Sequence, residues 1–395
     1  MKSTAPVFLT TYCIVVSLTL SLWYIDCAIA VQPEAKVQAN GSLQHEVAET
    51  VARGARWLAA QQNETGAWSD PRNPAITALS LLSLLRAQVT ESINATPNIQ
   101  KGFSFLRTHV KPDGGIYAEG LSNYNTAIAL LAFLQLGDPQ DASIIRHAKD
   151  FLIRQQADQM VRPELNGGIG YGPTGVSPKR QHPDLDNTMI SLEALRAFEL
   201  AETTKENTSK SSRLDWAAAI AFVSRCQNLS ATNPQEWVSE SPSERGGFVY
   251  YPGFSNAGEL EEKGGRKALR SSGSMSYAGL LSFIYADVSK QDQRIQAALG
   301  WLQNNFTLEE NPGLGKQGLY YYYHLMAKAL AASETQTFEA AGKSHDWARE
   351  LAIELINRQD ASGFWLNDTG RWMEKDAALV TSYGLLTLEL IRPRL

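Results

Sequence analysis

One unit recurs six times along this chain, and a repeat of that length dictates the architecture before any other property does. Each copy runs from an amphipathic stretch ending near Gln, through a turn of Gly plus an aromatic or apolar residue, into a second apolar stretch. The first reads Ala55-Arg56-Trp57-Leu58 to Gln62-x3-Gly66-x-Trp68, then Ala75-Ile76-Thr77-Ala78-Leu79. The last reads Ala348 to Gln359-x3-Gly363-x-Trp365, then Leu379-Val380-Thr381-Ser382-Tyr383. Between them stand Gly115-Ile116-Tyr117 before Asn125-Thr126, and Gly168-Ile169-Gly170-Tyr171 before Asn187-Thr188. Gly247-Phe248-Val249-Tyr250 precedes Ser276-Tyr277, and Gly318-Leu319-Tyr320 precedes Tyr323-His324. What the copies share is scaffold, so function has to be read where they differ.

Apolar residues within each copy fall at helical spacing: Ala55, Leu58 and Ala59 share one stripe, as do Leu351, Leu355 and Ile356. The second stretch is the more apolar, and Ala127 to Leu136 carries no charge. A helix apolar on nearly all sides is buried on all sides. Six hairpins, each with one amphipathic and one apolar helix, close into two concentric rings, first helices outside and second helices inside. The expected fold is an all-α (α/α)6 toroid, and copies one and six match each other best, as in a closed ring. An open solenoid would carry polar caps at its ends.

At 395 residues, 44% of them hydrophobic, the chain can bury a large core, and its net charge of −5 argues against nucleic acid as a partner. Lys2, the apolar run Val7 to Tyr24 and Ala28-Ile29-Ala30 read as a signal peptide over 1–30, with a retained membrane anchor as the alternative. A linker over 31–44 and the toroid over 45–395 follow, in a protein exported to a periplasm or secreted. Cys13 and Cys27 leave with the leader, so Cys226 has no partner for an internal disulfide. Long polar loops at 157–187, 203–212, 229–246 and 252–273 are expected to decorate one mouth of the barrel.

The Gln-x3-Gly-x-Trp matches at Gln62/Gly66/Trp68 and Gln359/Gly363/Trp365 resemble the QW motif of the prenyltransferase and squalene–hopene cyclase repeat superfamily. Gly114-Gly115, Gly167-Gly168 and Gly246-Gly247 resemble its degenerate form, and the likeness spans residues 45–391. Pro183-Asp184-Leu185-Asp186-Asn187-Thr188 looks like the Asp-x-Asp-Asp-Thr motif of class II terpene cyclases. The resemblance implies Asp186 as proton donor, Asp184 as its tuning partner, and Asn187 (in place of the third Asp) and Thr188 in support. Such chemistry needs a carboxyl kept protonated beside another, in an apolar, aromatic pocket. The expected cavity wall comprises Asn125, Tyr277, Tyr320, Tyr323, His324, Asp376 and Tyr383, around an isoprenoid ligand, with peripheral membrane association and no cofactor. No metal is expected: where prenyltransferases place Asp-x-Cys, this chain has Arg270 and Ser272, leaving His324 alone. Asp184 and Asp186 also suit helix capping. Two other functions fit the pattern: a non-catalytic binding or scaffold barrel, and a periplasmic glycan hydrolase or lyase. The latter would set Asp184 or Asp186 opposite Asp376 or Glu374, with Trp372 as a sugar platform. The sequence names no protein partner.

Overall fold

Each copy folds as a pair of helices. In the computed structural model, which describes residues 34–91, 96–172, 181–203, 213–340 and 342–395, the pairs follow in order. They are α1 (Glu34–Ala60) with α2 (Pro74–Glu91), α3 (Thr96–Thr108) with α4 (Ser122–Leu136), and α5 (Ala142–Arg154) with α6 (Leu185–Thr203). Then come α7 (Trp216–Arg225) with α8 (Gly273–Tyr285), α9 (Gln293–Asn304) with α10 (Leu319–Ala332), and α11 (Trp347–Arg358) with α12 (Ala377–Ile391). The expected signal peptide lies outside the described residues. The first helix begins at Glu34, so most of the stretch expected as a linker is helical.

The even-numbered helices form the inner ring: α2 packs on α4, α4 on α6, α6 on α8, α8 on α10, α10 on α12, and α12 back on α2. Their sequences explain the position. Every residue of α8 except Ile284 is buried, whereas outer α5 buries only Ala148, Lys149, Phe151 and Leu152. Serines survive inside α8 because Ser276 and Ser282 give their hydroxyls to carbonyls one turn back, at 2.7 and 2.8 Å.

The recurring Gly and Gln of the repeat are the joints between hairpins. Gly363 has a φ of 105°, and a side chain there would meet the Arg53 carbonyl at 2.7 Å; Gly66 stands in the same relation to Lys101. Each Gln spans the same joint. Gln62 Nε2 donates to Gly66 O and to Asn98 O of the next outer helix, both at 2.9 Å. Gln359 Nε2 donates to Gly363 O at 2.8 Å and to Thr50 O at 2.9 Å, sealing the sixth hairpin to the first. Gln156 and Gln227 do the same for α7 and α9 through Asp215 O and Arg294 O. The indoles of Trp68 and Trp365 are fully buried, donating to Leu58 O and Leu355 O at 2.7 and 2.8 Å.

A second device tightens the inner ring. The residue at the aromatic position donates its backbone N–H to a side-chain hydroxyl of the following inner helix: Trp68 N–Thr77, Ile116 N–Thr126, Ile169 N–Thr188, Phe248 N–Ser276 and Trp365 N–Thr381, at 2.8–3.1 Å. Helix starts are capped largely by the next hairpin. Asn125 accepts from Ala75 N of α2, Tyr171 O from Asn123 N of α4, and Tyr250 O from Leu185 N of α6. Asn311 accepts from Ser274 N of α8, and Glu374 from Tyr321 N of α10. Asp376 caps its own helix α12 and receives the Ser69 hydroxyl of the first hairpin.

Three two-stranded antiparallel ribbons decorate the toroid: β1 (Ile169–Gly170) with β2 (Pro183–Asp184), β3 (Glu259–Glu261) with β4 (Lys267–Leu269), and β5 (Phe338–Ala340) with β6 (Lys343–His345). The expectation of one decorated mouth needs correction. Helix α6 ends at Thr203, so the loop that follows leaves from the C-terminal end of the inner ring, opposite the ends that carry Tyr171, Tyr250 and Asn256. Residues 204–212 themselves lie outside the described residues.

Candidate active site

A cavity of about 280 Å³ opens at the N-terminal ends of the inner helices. Its wall is made by one repeat position, two residues before the scaffold hydroxyl: Ala75, Tyr124, Asp186, Ser274 and Leu379, with Tyr321 supplied by α10. This is where the copies differ. Among the described lining residues Asp186 is the sole carboxylate. Leu79 and Tyr383 lie about one turn deeper, and Asn73, Leu121, Asn256, Leu314, Trp372 and Met373 form the mouth.

Asp184 ends strand β2, fully buried, and Asp186 sits in the first turn of α6. Asp184 Oδ1 caps α6 by accepting from Asn187 N at 2.8 Å, and Asn187 Nδ2 donates to both carboxyl oxygens at 3.1 and 2.9 Å. Burial and the neighbouring Asp186 charge nevertheless push Asp184 up to about 8. Burial likewise raises Asp186, against the pull of the Tyr321 hydroxyl, which donates to Asp186 Oδ1. Both shifts thus favour the protonated form, the fully buried Asp184 more than the half-buried Asp186. Of the two carboxyls, only Asp186 lines the cavity.

Five residues expected on the wall stand elsewhere. Tyr277 is buried against Tyr322, with ring centroids 5.6 Å apart. Tyr320 and Tyr323 pack on each other at 5.8 Å and face Arg358 of outer α11. His324 lies behind the wall, stacked on Tyr383 at 5.7 Å, and burial with Lys328 nearby depresses its pKa far below the ordinary value. Asp376 caps α12, accepting from Ala378 N and Leu379 N at 3.0 and 3.1 Å. The cause is a shift of register: Gly318-Leu319-Tyr320 is the start of α10 and not a turn, so Tyr321 alone of the four tyrosines faces the centre. Asn125 and Tyr383 do line the cavity, although the Asn125 amide is spent between Ala75 N and Gly120 O. Thr188 belongs to the scaffold, since its hydroxyl serves Ile169 as Thr77 serves Trp68.

Tyr171 and Tyr250, with hydroxyls 3.0 Å apart, also line the cavity and were not foreseen there. Their signal was available: two residues after the scaffold aromatic these copies carry Tyr, where the first and last carry Asp70 and Asn367. Burial and the two carboxyls hold both phenols above their ordinary range, so they stay neutral. Among the described residues, no three His, Cys, Asp or Glu side chains are placed to hold a metal.

No protein-family description matches this chain, and no characterised protein matches it by sequence. Solved structures do match. A variant of the type II terpene cyclase MstE from Scytonema, in complex with geranylgeranyl dihydroxybenzoate, aligns over 90% of this chain and 99% of its own at a TM-score of 0.52 and 13% identity. The chain has the toroid fold of the type II terpene cyclases. The same fold appears in a possible member of the GH105 family from Salmonella enterica, at 12% identity and TM-score 0.55 over 92% of this chain and 96% of that one. It appears again in a family 76 glycoside hydrolase from a Bacteroides thetaiotaomicron strain, at 9% identity and TM-score 0.54 over 87% and 77%.

Proposed function

We propose that the protein holds an isoprenoid chain in this cavity and cyclises it by protonation from Asp186. The reading rests on one placement: Asp186, its pKa raised by burial, is the one carboxyl among the described residues of a wall of phenols, apolar side chains and amides, with the fully buried Asp184 behind it. The Tyr321 hydroxyl occupies Oδ1, leaving Oδ2 to present the proton. Transfer to an alkene forms a C–H bond and leaves a tertiary cation and an Asp186 carboxylate. Each ring closure then consumes one further alkene. Loss of a proton from the last cation ends the sequence and restores the carboxyl pair. The π faces of Tyr124, Tyr321 and Tyr383 stabilise the migrating charge, and the enclosed wall keeps water from quenching it.

Glycan hydrolysis, which the same fold supports elsewhere, needs two carboxylates flanking the scissile bond. Glu374 and Asp376, the partners that reading requires, are spent on the starts of α10 and α12. The test is incubation with squalene, polyprenols and prenyl diphosphates, products being read by mass spectrometry beside Asp186→Asn. A cyclic product that disappears in the variant supports the proposal. If none of these substrates turns over and Asp186→Asn changes only the melting temperature, the barrel binds without catalysing.

A further inference from the structure

We infer that the cavity takes a ligand whose polar end is uncharged, a hydroxyl or carbonyl recognised by side-chain amides, and excludes prenyl diphosphates. The inference rests on the isoprenoid reading above and narrows it. Six inner-helix starts surround the mouth, and a ring of helix N-termini would ordinarily draw an anion. Here those N–H groups are already committed. Ala75 N is bound to Asn125 at 2.9 Å, Asn123 N to Tyr171 O at 3.1 Å, and Leu185 N to Tyr250 O at 2.9 Å. Gly273 N is bound to Pro312 O and Ser274 N to Asn311, each at 2.9 Å. At three of the six starts the acceptor is itself a carboxylate: Asp184 at α6, Glu374 at α10 and Asp376 at α12. The N–H groups at these starts thus already have acceptors within the protein, leaving no anion cradle.

The wall adds nothing cationic. No Lys, Arg or His is among its described residues, so nothing on it compensates an anion. Arg371 lies beside the mouth, but its guanidinium stacks on the Trp372 ring at 4.6 Å and donates to Gln317 at 2.9 Å and Asn256 at 3.4 Å. Polar recognition at the mouth falls to Asn73 and Asn256. The Asn73 amide has no hydrogen-bond partner among the described residues, and Asn256 has only the long contact to Arg371. An amide offers both a donor and an acceptor, which suits a neutral hydroxyl or carbonyl.

The experiment is equilibrium binding of phytanol, phytanyl diphosphate and phytane to the protein. All three keep the branched chain and have no alkene to protonate. Phytanol is expected to bind, with the diphosphate weaker by about 100-fold or more, as burying an anion beside no cation requires. The double variant Asn73→Ala/Asn256→Ala is expected to weaken phytanol by about tenfold and leave phytane unchanged. Diphosphate binding as tight as the alcohol, falling steeply with salt, overturns the inference while leaving the isoprenoid reading in place. Unchanged phytanol affinity in the double variant overturns the assignment of the amides. If none of the three binds, the isoprenoid reading fails and this inference fails with it.

Discussion

Asp186 and Thr188 stand two residues apart on one helix, and their fates differ. Thr188 repeats a hydroxyl found in four other copies, so Thr188→Val is expected to destabilise by about 1–2 kcal/mol, as Thr77→Val should, with turnover intact. Asp186 has no counterpart elsewhere in the ring. Asp186→Asn is expected to cut turnover by about 10³-fold or more while ligand binding persists, checked by product formation beside equilibrium binding. Tyr321→Phe removes the hydroxyl that makes Asp186 more acidic. The remaining carboxyl is a weaker acid, so turnover should fall by about tenfold and the alkaline limb of its pH profile should move upward. A purely structural Tyr321 would lower stability and leave that profile where it is.

At the scale of the element, the joints between hairpins carry the stability. Across the seam that closes the ring Gln359 donates to Thr50 O and accepts from Arg53, besides donating to Gly363 O in its own turn, so Gln359→Ala should cost about 2 kcal/mol, and Gln62→Ala a similar amount. Gly363→Ala should cost more, because the added methyl meets the Arg53 backbone and the left-handed conformation suits no side chain there. Denaturant melts of the three variants check the order. These joints were legible in copies one and six, where Gln, Gly and Trp keep their strict spacing. In copies three and four, insertions separate Gln156 from Gly167 and Gln227 from Gly246, yet the same bonds form. Copy five lacks a Gly-aromatic turn at the expected place, so its spacing does not show which of its tyrosines faces the centre.

For the molecule as a whole, the carboxyl pair makes stability depend on pH. Asp184 titrates near its ordinary value when unfolded and at about 8 when folded, so the native state holds the extra proton between. Its contribution is complete below about pH 4 and is lost as pH rises through about 8. Thermal melts from pH 5 to 9 should show that decline, and Asp184→Asn should flatten it. Deeper in the barrel Lys328 donates to Glu193, both buried. Lys328→Ala should cost about 1–3 kcal/mol, since Arg86 still faces the Glu193 charge, and Lys328→Met/Glu193→Leu should recover part of it. A melt of the double variant distinguishes the two.

The amino-acid sequence alone specified the repeat, the division into apolar inner and amphipathic outer helices, and the one copy with adjacent acids. Each of these is a local pattern, repeated often enough to be read without knowing how the ring closes. Tertiary structure decided which rings look inward. A single residue turns a helix by about 100°, so the start of α10 at Leu319 selected Tyr321 and turned Tyr320 and Tyr323 toward the outer barrel. It also decided that Tyr171 and Tyr250, from two separate turns, meet beside Asp184 and Asp186. That meeting depends on the packing of α6 against α8, a contact between distant segments that no local pattern encodes.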